Sequence, residues 1–201
     1  MLNLQITQAL ILRDIHITVP TGDILTVLGK SGSGKTTLLR CIAGLQDYTG
    51  NITGFHPKRL GYIEQHNTLF PHLTVEENIN YPLHVRHLKK SSTEIMNDCG
   101  VAQLTTRYPH EISGGEIRRV MLARSLVYEP TVLLCDEPFA ALDAITRVEL
   151  ARWFKQLITQ KNITVIYVTH DIKEAQFMSQ HLIILDQGKM TDNTSLLHAH
   201  F

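Results

Sequence analysis

Residues 29–37, Gly-Lys-Ser-Gly-Ser-Gly-Lys-Thr-Thr, sit between the apolar run Ile24–Leu28 and a segment of helical periodicity that begins at Thr36. A backbone this bare of side chains, opening directly into a helix, constrains the chain more than any other stretch. Gly29, Gly34, Lys35 and Thr36 fit G-x-x-x-x-G-K-[ST], and the four fixed positions recur by chance in fewer than about 1% of chains this long. Glycines let the backbone N–H groups of Gly29, Lys30, Ser31, Gly32, Ser33 and Gly34 wrap closely around a polyphosphate. The following helix adds the positive end of its dipole. Lys35 is placed to reach the β and γ phosphates and the Thr36 hydroxyl to bind Mg²⁺, with Thr37 next in the loop. The unit predicts an α/β chain that binds a nucleoside triphosphate.

The rest of the sequence fits one such domain. Among 201 residues, 43% are hydrophobic, enough for a single core. Nineteen basic side chains balance nineteen acidic ones, so the totals carry no electrostatic footprint for nucleic acid, and none is expected as a partner. Three scattered cysteines, Cys41, Cys99 and Cys135, form no CxxC pair and suit a reducing compartment. His84 with His87, and His198 with His200, lack a third nearby ligand and read as solvated surface groups. No apolar run approaches the length of a membrane span, and the N-terminus has no basic stretch or cleavage site of a secretory signal.

Along the chain, LQIT and RDIHITV alternate apolar and polar residues as strands do, and Leu38, Leu39, Ile42 and Leu45 mark one face of a helix from Thr36. GNIT and RLGYIEQ are short strand candidates. Residues 74–101 and 108–128 are polar, charged and helix-prone. TVLLCDEP and ITVIYVTHD are continuous β-branched runs, as expected of strands buried on both faces, with a helical stretch from Ala144 between them. Strands alternating with helices predict a mainly parallel sheet covered on both sides. The helical middle, residues 66–112, reads as an inserted subdomain, and residues 191–201 as a tail.

A second cluster of chemistry follows. Asp136 ends a buried strand, where carboxylates of parallel sheets meet ligands, and suits a Mg²⁺-holding role. Glu137 comes next, positioned to polarise an attacking water. His170, after another buried strand, is a candidate γ-phosphate contact.

Together these residues carry a resemblance. ISGGEIRRVMLARSL (Ile112–Leu126) resembles the LSGGQ signature of ATP-binding cassette (ABC) ATPases. With GKSGSGKTT, IEQ ending at Gln65, VLLCDEP, AALD ending at Asp143, and VTHD, the motifs stand in that family's order over residues 1–190. LFPHLTVEENI and DEPFAALD further resemble ATPase subunits of bacterial importers for ions and small solutes. The resemblance implies a P-loop ABC ATPase fold: a mainly parallel core sheet, an N-terminal antiparallel β subdomain and an inserted α-helical subdomain, all in one domain over 1–201. It implies ATP and Mg²⁺ as cofactors, with Thr36, Gln65 and Asp136 around the metal and Glu137, His170 and Gln65 as catalytic groups. It further implies a head-to-tail dimer with a second cassette subunit, expected to be a second copy. In that dimer Ser113, Gly114, Gly115 and Glu116 of one protomer face the nucleotide of the other, and Asp143 packs across the interface. Membrane permease subunits, and for an importer a substrate-binding protein, are the further partners. The place of work is the cytoplasmic face of the bacterial inner membrane, held peripherally.

Departures from the family pattern set further expectations. Glu116 stands where the signature usually has Gln. No aromatic residue precedes Tyr48, although the family often stacks adenine on one from the N-terminal strands. Ile6, Gln8 or Leu10 is expected there instead, with weaker or less selective base binding. The stretch from Lys35 to Gln65 is short, which implies trimmed strands, and no C-terminal regulatory domain is expected. The rival readings are a soluble cassette ATPase acting on nucleic acid or ribosomes, and a degenerate module that binds nucleotide without hydrolysis.

Overall fold

The computed structural model describes residues 1–191. Its centre is built from segments with no polar face: β3 (Ile24–Leu28), β6 (Val132–Asp136) and β7 (Thr164–Thr169) are buried at every position. Such strands need neighbours on both edges and cover on both faces. They lie in a six-stranded sheet of order β5-β6-β7-β3-β8-β9, with β5 (Leu60–Ile63), β8 (His181–Asp186) and β9 (Lys189–Thr191) completing it. All pairs are parallel except β8–β9. A separate antiparallel sheet, β2-β1-β4, is formed by β1 (Leu2–Ala9) and β2 (Leu12–Val19), whose burial mostly alternates, and by the largely exposed β4 (Thr49–Thr53). The inward residues Leu4, Ile6, Ile15 and Ile17 share a core with Val27, Leu38, Val168 and Leu185. A second core packs Phe139, Phe154 and Tyr167 with helical residues such as Val75, Ile79 and Val120.

The helices are α1 (Lys35–Ile42), α2 (Val75–Val85), α3 (Thr93–Asp98), α4 (Gly114–Leu126), α5 (Ala144–Gln160) and α6 (Ile172–Met178). Three of them depart from the lengths the periodicity predicts. α1 stops at Ile42 because Gly44 takes a left-handed φ of 70°, which leaves Leu45 exposed rather than on the buried face. The helix-prone stretch 74–101 is broken in two: Arg86 caps α2, His87 turns with φ 52°, and α3 restarts at Thr93. In 108–128, Pro109 admits only a short 3₁₀ turn before α4 begins at Gly114. α2 itself is opened by a capping box between Thr74 and Glu77, each satisfying the other's backbone N–H. One turn in, Asn78, fully buried, bonds the backbone of Phe70, Leu73 and Thr74 and so shapes the loop leading into the helix. Thr191 closes β9. Residues 192–201, the remainder of the expected tail with His198 and His200, lie outside the described residues.

Candidate nucleotide site

Parallel strands deliver their C-terminal ends to one edge of the sheet, and a cavity of about 1010 Å³ opens there. β3 runs straight into the glycine loop. Gly32 and Gly34 hold left-handed φ values of 79° and 108°, which L side chains rarely adopt, so the backbone closes back on itself before α1 starts at Lys35. Gly29 is needed for a different reason: a Cβ there would meet the Leu185 carbonyl oxygen at 2.4 Å. Gly34 caps α1 without any side-chain hydrogen bond, and no acidic residue occupies the first turn. The positive end of this helix is therefore left for a ligand.

Within the loop, Gly29, Lys30, Ser31, Gly32, Gly34, Lys35, Thr36 and Thr37 all line the cavity. Ser33 does not. Its side chain is buried and its hydroxyl finds no partner among the described residues, while its carbonyl accepts from Gly188 N at 3.0 Å. The Lys35 ammonium is folded into the cradle, donating to the carbonyls of Gly29 at 2.7 Å and Lys30 at 3.0 Å.

The other predicted groups arrive from neighbouring strands. Glu137 follows β6 with a left-handed φ of 45°, a conformation costly for a side chain of its kind. That turn aims its carboxylate at three partners. Lys35 Nζ stands 3.5 Å from Oε1, while His170 Nδ1 at 2.8 Å and Gln65 Nε2 at 3.4 Å meet Oε2. Glu137, His170 and Gln65 all line the cavity. Behind them Thr36 Oγ1 donates to Asp136 Oδ1 at 3.2 Å. Burial pushes the Asp136 carboxyl above its ordinary range, against the opposing hydrogen bond from Thr36, and the Glu137 charge adds to the rise. Two hard oxygens beside a phosphate cradle fit Mg²⁺, which takes one or two protein oxygens and leaves its other positions to phosphate and water.

Ser113, Gly114, Gly115, Glu116 and Asp143 do not line this cavity. The first four open α4, where Ser113 and Glu116 form a closed capping box. The Glu116 carboxylate accepts from Ser113 N at 2.8 Å and Ser113 Oγ at 2.7 Å, and these bonds hold its pKa below the ordinary carboxylate range. Asp143 caps α5, accepting from Ile145 N and Thr146 N, and its carboxyl is lowered by the bonds from Thr146. The two helix starts are neighbours, since a Cβ on Gly115 would meet Thr146 at 3.2 Å.

Residues 12–140 match the protein family described as ABC transporter. The chain belongs to the ABC transporter family. The cassette is 40% identical to the sulfate/thiosulfate import ATP-binding protein CysA of Escherichia coli K12, over 90% of this chain and 54% of that one. It is equally 40% identical to the protein of the same name in Bacillus cereus, over 88% of this chain and 55% of that one. It thus spans about half the length of the curated relatives it matches. Among solved structures, a dimeric ATP-binding cassette in a post-hydrolysis state with ADP and Pi superposes with a TM-score of 0.79 at 26% identity, over 96% of this chain and 98% of that one. The fold is also that of cbiO1 from Clostridium perfringens, part of the ABC transporter complex cbiONQ, with a TM-score of 0.85 at 22% identity over 95% of this chain and 86% of that one.

Several residues that position this site were not singled out from the sequence. Arg118 of α4 donates to the Gln65 carbonyl at 2.8 Å, and Arg124 to the Thr68 carbonyl at 2.8 Å, so the helix opened by Ser113 holds the segment that carries Gln65. Arg147 of α5 donates to the Leu142 carbonyl at 2.9 Å and faces Asp171 at 3.6 Å, joining the Asp143 loop to the residue after His170. Glu174 bonds Tyr167 and Thr169, fixing the end of β7 just before His170. Arginine recurs too freely on helix surfaces for spacing alone to have marked these. The expected wall from Ile6, Gln8 or Leu10 is also corrected: Ile6 is fully buried between the sheets, and Ile11 lines the cavity instead.

Proposed function

We propose that this cassette is the ATP-hydrolysing subunit that powers a membrane ABC transporter, importing a small solute or ion. The observation that carries the reading is the convergence of Lys35, His170 and Gln65 on the Glu137 carboxylate at the mouth of a phosphate cradle. Glu137 accepts a hydrogen bond from a water and polarises it for in-line attack on the γ phosphorus, while the bond to the β–γ bridging oxygen breaks. Lys35 and the N–H groups of residues 29–37 take up the charge on the phosphate oxygens, and His170 holds both Glu137 and a γ-phosphate oxygen in place. Thr36, Asp136 and Gln65 would hold Mg²⁺, which would supply charge neutralisation for the phosphates.

A second copy completes each site. Ser113, Gly114 and Gly115 form a helix start with no phosphate of their own chain to hold, and the partner's γ phosphate supplies it. Asp143 lies beside that helix start and packs across the same interface. Residues 66–112, held with Gln65 against α4 by Arg118 at the Gln65 carbonyl and Arg124 at the Thr68 carbonyl, act as the helical subdomain that moves with nucleotide state and bears on the permease subunits. Among the described residues no helix is long and apolar enough to cross a membrane, so attachment would come through those subunits, at the cytoplasmic face. An importer of this design also takes a substrate-binding protein. The import names of the relatives favour uptake over export.

Affinity purification of the tagged protein from native membranes in mild detergent tests the reading. A polytopic membrane protein in fixed stoichiometry is expected. Ribosomes, DNA-associated proteins, or no membrane partner in repeated preparations would overturn it in favour of a soluble ATPase.

A further inference from the structure

Glu137 and His170 meet at 2.8 Å, yet the sheet does not fix their separation. β6 ends at Asp136 and β7 at Thr169, so each residue stands just past its strand, and the last pair of the ladder is Asp136 with Val168. Something else must hold the two loops in register.

α5 reaches both of them. Its Phe154 is fully buried, with the ring of Phe139 at 5.8 Å and that of Tyr167 at 6.5 Å. Phe139 belongs to the loop after Glu137, and Tyr167 to the strand before His170. About two turns nearer the helix start, Arg147 touches the same two segments on their polar side. One Nη donates to the Leu142 carbonyl at 2.9 Å and reaches the Ala140 carbonyl at 3.5 Å, while the other stands 3.6 Å from Asp171 Oδ2. Arg147 Nε has no partner among the described residues, so the two Nη groups carry the link. Its targets are themselves anchored. Ala140 N donates to the Glu137 carbonyl at 3.2 Å, Asp171 N to Thr169 Oγ1 at 3.0 Å, and Asp171 Oδ1 accepts from Glu174 N at 3.0 Å to cap α6. A shift of the guanidinium would therefore be felt by the backbone on both sides of the Glu137–His170 pair.

We infer that Arg147 is a positioning residue for the hydrolytic step, its guanidinium setting the separation of Glu137 and His170. The inference rests on the proposed ATPase function. A partly exposed ion pair of this length adds little to stability. A planar fork, however, holds two targets at a fixed angle, as a flexible ammonium does not. Arg147 is not among the residues that line the cavity, so its loss should spare the phosphate cradle and act on the chemical step.

The test is steady-state ATPase activity of the full chain with Mg²⁺, beside ATP dissociation constants from calorimetry. Arg147→Met keeps the aliphatic stem; its kcat is expected to fall up to about 100-fold, the cost of a misplacement of about 1 Å, with ATP affinity unchanged. Arg147→Lys, which keeps the charge without the fork, should fall between the two. Asp171→Asn retains the α6 cap and removes the ion pair, so it reads the same link even if Arg147→Met does not fold, and a several-fold loss of kcat is expected. Combining Arg147→Met with Asp171→Asn should lose less than the product of the single losses. Wild-type kcat in Arg147→Met or Asp171→Asn, losses that multiply, or ATP affinity that falls in step with kcat would each overturn the inference alone. A wild-type chain that turns over no faster than Glu137→Gln would remove the proposed hydrolysis, and this inference with it.

Discussion

Two helices in this cassette begin at glycine-rich loops suited to an anion, and they are left in opposite states. α1 starts at Gly34 with no side-chain cap, no acidic residue in its first turn, and Lys35 folded into the space in front. α4 starts at Ser113 with its free N–H groups partly served by its own chain, and with the Glu116 carboxylate at the positive end of the dipole. A single chain can thus fill the first site with phosphate at once. On the proposed reading, the second would have to exchange the Glu116 carboxylate for a phosphate brought by a partner. On that reading, nucleotide binding is a property of one protomer and dimer closure a separate step.

The contrast can be broken most sharply at the carboxylate that faces α1. Glu137→Gln is expected to cut hydrolysis by about 10²–10⁴-fold while ATP still binds, so dimers accumulate in size-exclusion runs with ATP. Near-normal single-turnover rates would remove Glu137 from its role. Lys35→Ala should weaken ATP binding about 10- to 150-fold, the range of a charge-assisted hydrogen bond, and leave α4 untouched. Calorimetry showing unchanged affinity would count against the loop.

A pH titration separates the metal from the phosphates. Burial raises the Asp136 pKa, so its proton returns at a higher pH than the ordinary value of about 3.9. Below the raised pKa, Mg²⁺-dependent ATP binding should fall about tenfold per pH unit, an arm that Asp136→Asn would erase. The sign for stability is the reverse: the fold prefers the neutral acid, a contribution present at low pH and lost as pH rises through the raised pKa. The smallest effect belongs to α4. Glu116→Gln keeps the shape of the cap and removes its charge, at a stability loss of about 0.3–1 kcal/mol. ATP-driven self-association should strengthen at the same time. Because the folded Glu116 pKa is depressed, its stabilisation is present above about pH 4.3 and is lost as pH falls through the folded value. Urea curves of the two proteins should therefore converge in acid, and a gap that persists there would assign the difference to packing.

Much of this was legible in the chain. The pattern around Gly29, Gly34, Lys35 and Thr36 specifies a loop whose chemistry follows from residue type. The apolar runs ending at Asp136 and Thr169 announce buried parallel strands that bring Glu137 and His170 to the same edge. What spacing could not carry was the partition of polar contacts. Ser113-x-x-Glu116 has the pattern of a capping box as well as of an anion site, and geometry was needed to show the box closed. Ile11 rather than Leu10 reaches the cavity because the hairpin turns in two residues, against the turn preferences of both. Glu137 depends on a left-handed φ that no neighbouring glycine foretells.

The seam between the phosphate loop and the far end of the described chain bears on synthesis. In the described sheet β3 lies between β7 and β8, and Ser33 and Arg13 are both bonded to Gly188. A chain leaving the ribosome exposes residues 29–37 well before β7 and β8, the strands that flank β3, have emerged. Contacts this distant close late and slowly. Nucleotide capture would then report that β7 and β8 have been made and have docked beside β3, so that a product stalled before them stays unable to draw on ATP.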